Sequence, residues 1–86
     1  MPPMTQGRPR LVRGRVTRHE PYGFYVDIGA NREGVVVITM ISDDPSVSNS
    51  PFPPIGSTIS AALIGYTDVG DEPRLSVRPS DVKHTE

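Results

Sequence analysis

The chain contains no cysteine, so neither a disulfide framework nor a thiolate-bound zinc can reinforce its fold. Its two histidines, His19 and His84, stand far apart in the sequence and lack the spacing of a metal pair. No apolar run approaches the roughly 18 residues of a membrane span, and the opening Met1-Pro2-Pro3-Met4 has no apolar stretch of the secretory kind. The expectation is a soluble, cytoplasmic monomer with no cofactor, no metal and no membrane association. A general excess of positive charge is missing too: nine Lys and Arg face ten Asp and Glu, for a net charge of −1. That excludes a uniformly basic nucleic-acid coat. Ten prolines and eight glycines argue against long helices, and no window sustains a 3.6-residue apolar period. At 86 residues the chain makes one domain at most and buries only about three-fifths of its unfolded surface, so the core is small.

What is present is unevenly placed. Arg8, Arg10, Arg13, Arg15 and Arg18 fall in the first eighteen residues with no acid among them, whereas from His19 onward four basic residues face ten acidic ones. Eight of the nine basic residues are arginine, whose planar fork suits phosphates and base edges. Five short segments read as strands. Leu11 to Thr17 alternates, with Val12, Gly14 and Val16 on one face and Arg13 and Arg15 on the other. Gly23 to Ile28 sets Phe24, Val26 and Ile28 against Tyr25 and Asp27. Gly34 to Ile38 is a β-branched run, Thr58 to Tyr66 has Ile59, Ala61 and Leu63 in phase, and Arg74 to Arg78 is short.

The connections carry recognisable turn chemistry. Gly29-Ala30-Asn31 suits the positive backbone angles of a hairpin, and Val69 to Pro73 reads as a second hairpin loop. In the long connection from Ile41 to Ile55, Ser42-Asp43-Asp44-Pro45 resembles a helix start with room for one turn, and Phe52 is expected to fold back as a plug. Residues 1–8 and 80–86 show no pattern and read as flexible tails around a domain spanning 9–79. Five strands with one long connection between the third and fourth fit an all-β, five-stranded Greek-key barrel of the oligonucleotide-binding (OB) type; closing the sheet removes edges that so small a chain could hardly cover.

Several landmarks then fall in order: Gly14-Arg15-Val16, Pro21-Tyr22-Gly23-Phe24-Tyr25-Val26-Asp27-Ile28-Gly29, Gly34-Val35-Val36-Val37-Ile38-Thr39, Ile55-Gly56, Asp68 and Arg74-Leu75-Ser76-Val77-Arg78. Over residues 10 to 78 this resembles the S1 domain, an RNA-binding OB fold. The resemblance implies a stand-alone module that binds single-stranded RNA, or single-stranded DNA, in translation or RNA metabolism, with the ribosome or an RNA-processing protein as partner. It places the RNA face at Tyr22, Tyr25, Val37, Asp68 and Glu72. Two of these depart from the family pattern: Val37 stands where a histidine is usual, and Glu72 where the family has an RNA-contacting arginine. Arg74, two residues on, is an auxiliary cation expected to lie round the other face.

The residues supply their own rationale. Single strands are held by stacking bases on exposed aromatics while cations follow the backbone. A flat strand would put Tyr22 and Tyr25 on opposite faces, but Gly23 between them permits a bend that brings both outward. Arg13 and Arg15 share a face and are the phosphate candidates, with Arg10 and Arg18 flanking them. The acids Asp68, Asp71 and Glu72 nearby predict weak, non-specific binding. A second expectation is a protein-interaction module that keeps the barrel and offers Val35 and Val37 as an apolar patch. An enzyme is not expected: there is no cysteine nucleophile and no phosphate-cradling glycine loop, His19 beside Glu20 reads as a solvated turn residue, and Asp43-Asp44 reads as capping.

Overall fold

The computed structural model describes residues 9–42, 44 and 52–85. Five strands, β1 (Arg10–Glu20), β2 (Gly23–Gly29), β3 (Arg32–Val37), β4 (Thr58–Tyr66) and β5 (Pro73–Ser76), close into a barrel in the order β1-β2-β3-β5-β4. All neighbours are antiparallel except β3 and β5, which meet in parallel with Val35 opposite Arg74. A 3-10 turn, Ile38–Met40, follows β3, and a short helix, α1 (Pro79–Lys83), follows β5. This is the OB arrangement that the strand count implied.

Alternation builds the interior. Val16, Phe24, Val26, Val36, Ala61 and Leu75 form the buried cluster, with Val12, Ile28, Ile59, Leu63 and Phe52 packed around it. Each large apolar side chain here contributes on the order of 1.5–3 kcal/mol. Phe52 does fold back: its ring lies 5.4 Å from that of Phe24 and 5.3 Å, edge-on, from His19. His19 is exposed, as expected, but does not sit in a turn. It belongs to β1 opposite Phe24, and its Nε2 meets the Pro53 carbonyl oxygen at 2.7 Å.

β2 and β3 are joined by Ala30 and Asn31, both at positive φ (54° and 61°), as a tight hairpin with right-handed strand twist requires. The β4–β5 turn is tied by Thr67, whose N–H donates to the Glu72 carbonyl and whose Oγ1 accepts from the Glu72 N–H at 2.9 Å. Three irregularities adjust register, one of them at Ile28 between Asp27 and Gly29 on β2. Thr17 is the extra residue between Val16 and Arg18 on β1, and Ile64 is extra between Leu63 and Gly65 on β4.

The C-terminal segment differs from the patternless tail expected of it. Residues 79–83 form α1, packed against β4. Pro79 suits the first helical position because its missing N–H has no partner to lose there. Asp81 anchors the turn: its Oδ2 accepts from the buried Ser76 hydroxyl at 2.6 Å and from Arg78 Nε at 2.8 Å. Ser76 Oγ in turn accepts from the Arg78 N–H at 3.2 Å. The expected tail 1–8 and most of the expected helical turn after Ser42 lie outside the described residues. Within them, the Asp44 N–H donates to Ser42 Oγ at 3.1 Å.

Candidate nucleic-acid interface

Tyr22 occupies the turn before β2, and Tyr25 is the third residue of the strand. Gly23 lets them meet, since a Cβ there would collide with the Val36 carbonyl and the β3 backbone. The two hydroxyls are 2.8 Å apart in a hydrogen bond, and the rings pack edge to face with centroids 6.2 Å apart and planes at 86°. Only one ring is open to solvent: Tyr22 is 48% exposed and Tyr25 only 6%.

Arg18 explains the difference. Its guanidinium sits 4.0 Å from the centroid of the Tyr25 ring, a cation–π contact that occupies the face a base would use. The bulge at Thr17 creates this contact by shifting register, so that Arg18 rather than Thr17 lies opposite Tyr25. Arg18 is also bracketed by carboxylates, 3.8 Å from Glu20 and 3.8 Å from Glu33, and Glu33 is fixed by a 2.7 Å bond from the Thr17 hydroxyl. These exposed pairs add little stability, but they offset the charge Arg18 could offer a phosphate. Sequence reasoning gave Arg18 only a flanking place. No glycine marks the bulge, so the sequence holds no signal for it.

The Tyr25 phenol is pushed up from 10.0 to about 12, first by its bond to Tyr22, then by burial and by the negative charge of Glu72, with Arg18 opposing. Glu72 thus acts on the tyrosine pair. Asp68 lies exposed in the β4–β5 turn. Val37 is half-buried opposite Gly23, while Val35, opposite Tyr25, is buried. The apolar outer patch expected of Val35 and Val37 is therefore not exposed.

Arg74 does not lie round the other face. It is exposed on β5 opposite Val35, which is itself opposite Tyr25, so Arg18, Tyr25, Val35 and Arg74 form one outward row. Arg13 and Arg15 are exposed further back on β1, opposite Ser60 and Thr58 of β4. Among the described residues, none of Arg13, Arg15 and Arg74 has a carboxylate within ion-pair distance. The structure brings Tyr22, Tyr25 and Arg18 into contact, sets Val37 and Arg74 beside them, and leaves Arg13 and Arg15 as a separate basic stretch. Among the described residues, no group of three or more His, Cys, Asp or Glu gathers as a metal site, and no helix is long and apolar enough to cross a membrane.

A five-stranded OB barrel with an exposed aromatic on its outer face defines a class of oligomer-binding modules. Within that class, the S1 RNA binding domain model matches residues 10–78, and the chain belongs to this family. Solved structures with the same fold include GSP13 from Bacillus subtilis, at 18% identity and TM-score 0.69, with 85% of this chain and 56% of that one covered. The intact alpha subunit of aIF2 from Pyrococcus abyssi also matches at 18% identity and TM-score 0.69, covering 84% of this chain and 28% of that one. The a/eIF2alpha–aDim2p–rRNA complex from Pyrococcus horikoshii OT3 gives 18% identity and TM-score 0.67 over 88% of this chain and 48% of that one. The chain thus spans only about half or less of these proteins. No curated protein matches the sequence.

Proposed function

We propose that the chain is a non-catalytic module that binds single-stranded RNA weakly, through one base stacked on Tyr22 and phosphates held by Arg13, Arg15 and Arg74. The observation that carries this reading is the tyrosine pair itself: an open ring held at a fixed angle by a hydroxyl bond to a covered one. A pre-set platform loses little freedom when a base arrives, and every base has a face to stack, so this contact does not select a sequence. Membership of the S1 RNA binding domain family supports the ligand class. Single-stranded DNA would meet the same ring and cations but lacks the 2′-hydroxyl. The compensated charge of Arg18 and the nearness of Glu72 favour weak binding. A single barrel offers one short site, so a larger RNA-handling assembly in the cytoplasm, the ribosome or a processing protein, suits it as partner.

The test is fluorescence anisotropy of a labelled oligouridine with the whole chain. Tyr22→Ala is expected to weaken binding about tenfold, the worth of one stacked base, with an unchanged amide spectrum elsewhere. Equal affinity for the variant and the wild type would refute the platform.

A further inference from the structure

Resting on that reading, we propose that Glu72 and Arg74 together read guanine in the bound strand. Pro73 and Leu75 point into the barrel and are buried, whereas Arg74 between them is exposed in the row with Val35 and Tyr25. Glu72 lies just before β5, at the end of the turn that Thr67 ties, half-buried and near enough to the Tyr25 phenol for its charge to act on it. Glu72 and Arg74 are then separated by about 7 Å along the chain, close to the breadth of a purine.

Their head groups are unengaged. Three nearby carboxylates are engaged: Glu20 and Glu33 hold Arg18, Glu33 also takes the Thr17 hydroxyl, and Asp27 Oδ1 accepts the Gly29 N–H at 2.8 Å. Among the described residues, the Glu72 carboxylate and the Arg74 guanidinium have neither a hydrogen bond nor an ion pair. A bare carboxylate beside a polyanion is repulsive unless the ligand donates hydrogen bonds to it, and an ionised carboxylate can only accept. The ligand's donors are then a 2′-hydroxyl or a base edge, and only a base edge offers two donors side by side to both carboxylate oxygens.

The four bases differ in what they offer a carboxylate. Guanine presents two adjacent donors, N1–H and the 2-amino group, which suit both oxygens at once. Adenine and cytosine each set one amino group beside an acceptor, and uracil sets one imino group between two carbonyls, so a second carboxylate oxygen would meet repulsion. Guanine's adjoining edge carries the O6 and N7 acceptors that an arginine fork takes bidentately. One acceptor pair and one donor fork beside a stacking ring therefore match guanine on both edges. The family-pattern arginine at position 72 would supply charge; the glutamate found here supplies selection instead.

The test is anisotropy with the labelled pentamers UUGUU, UUAUU, UUCUU and UUUUU, together with UUIUU, whose inosine lacks the 2-amino group. The wild type is expected to bind UUGUU about tenfold more tightly than UUUUU, in line with one good bidentate contact, with UUIUU in between. Glu72→Gln is expected to erase the difference between guanine and inosine, and Arg74→Lys, which keeps the charge but not the fork, to shrink the preference over uracil. Wild-type affinities within twofold across the pentamers, or a preference for guanine over inosine that survives Glu72→Gln, would overturn the inference while leaving RNA binding intact. Failure of every pentamer to bind would overturn both it and the RNA reading.

Discussion

At the scale of single residues, Tyr22 and Tyr25 are chemically alike but differ in role. Tyr25 is covered by Arg18 and bonded to Tyr22; Tyr22 is the ring left open to solvent, the one proposed to meet a base. The hydrogen bond between them should be visible in titration. Folding raises the Tyr25 phenol from 10.0 to about 12, so the folded state favours the protonated form. The stability this confers is complete below pH 10 and declines as pH rises through about 12. In ultraviolet titration, one of the three tyrosines is expected to ionise late. Tyr22→Phe should move that step down toward the ordinary range, because it removes the largest cause of the shift. A late step unchanged in Tyr22→Phe would mean that burial alone sets it.

At the scale of elements, the barrel was largely legible and its irregularities were not. Alternation disclosed β1, β2 and β4, whereas β3 was read from its β-branched run and β5 from a short apolar pair. Phe52 was legible as a plug because an isolated aromatic among prolines gains little elsewhere. The bulge at Thr17 was hidden: no glycine or proline accompanies it, and one inserted residue exchanges the faces of everything beyond it. That exchange moved Arg18 onto Tyr25 and left Arg13 and Arg15 apart from the pair. Helix α1 was missed because five residues show no period, and its docking depends on Ser76, Arg78 and Asp81, contacts between side chains that propensity does not report.

Asp81 carries the prediction at this scale. Its carboxyl is held below 3.8, chiefly by the Ser76 hydroxyl and then by Arg78. The resulting stability is present above pH 3.8 and is lost as pH falls through the lowered value. Asp81→Ala leaves the buried Ser76 hydroxyl without its acceptor and is expected to cost about 1–2 kcal/mol in denaturant unfolding at neutral pH, with faster amide exchange in α1. Asp81→Asn, which retains one acceptor oxygen, should cost less. An alanine variant as stable as the wild type would show that the helix is held by packing alone.

For the whole molecule, a net charge of −1 conceals a division between an arginine-bearing β1 and a remainder rich in acids. The closed barrel turns that division into geography: Arg13 and Arg15 line one stretch of the outer surface, and the tyrosine pair sits where Glu20, Glu33 and Glu72 outnumber Arg18. Such a surface attracts a polyanion through few cations, so its affinity should be modest and respond to salt in proportion to those few contacts. With three free arginines on phosphates, the logarithm of the affinity should fall with the logarithm of salt at a slope near −2, taking about 0.7 per phosphate for single strands.

The most direct test of the central claim is an amide-shift titration of the whole chain with a short single-stranded RNA at two salt concentrations. The prediction is that shifts gather at Tyr22, Tyr25, Arg13, Arg15 and Arg74, and that affinity falls with that slope. Shifts confined to α1, or none at all even at millimolar RNA, would contradict it.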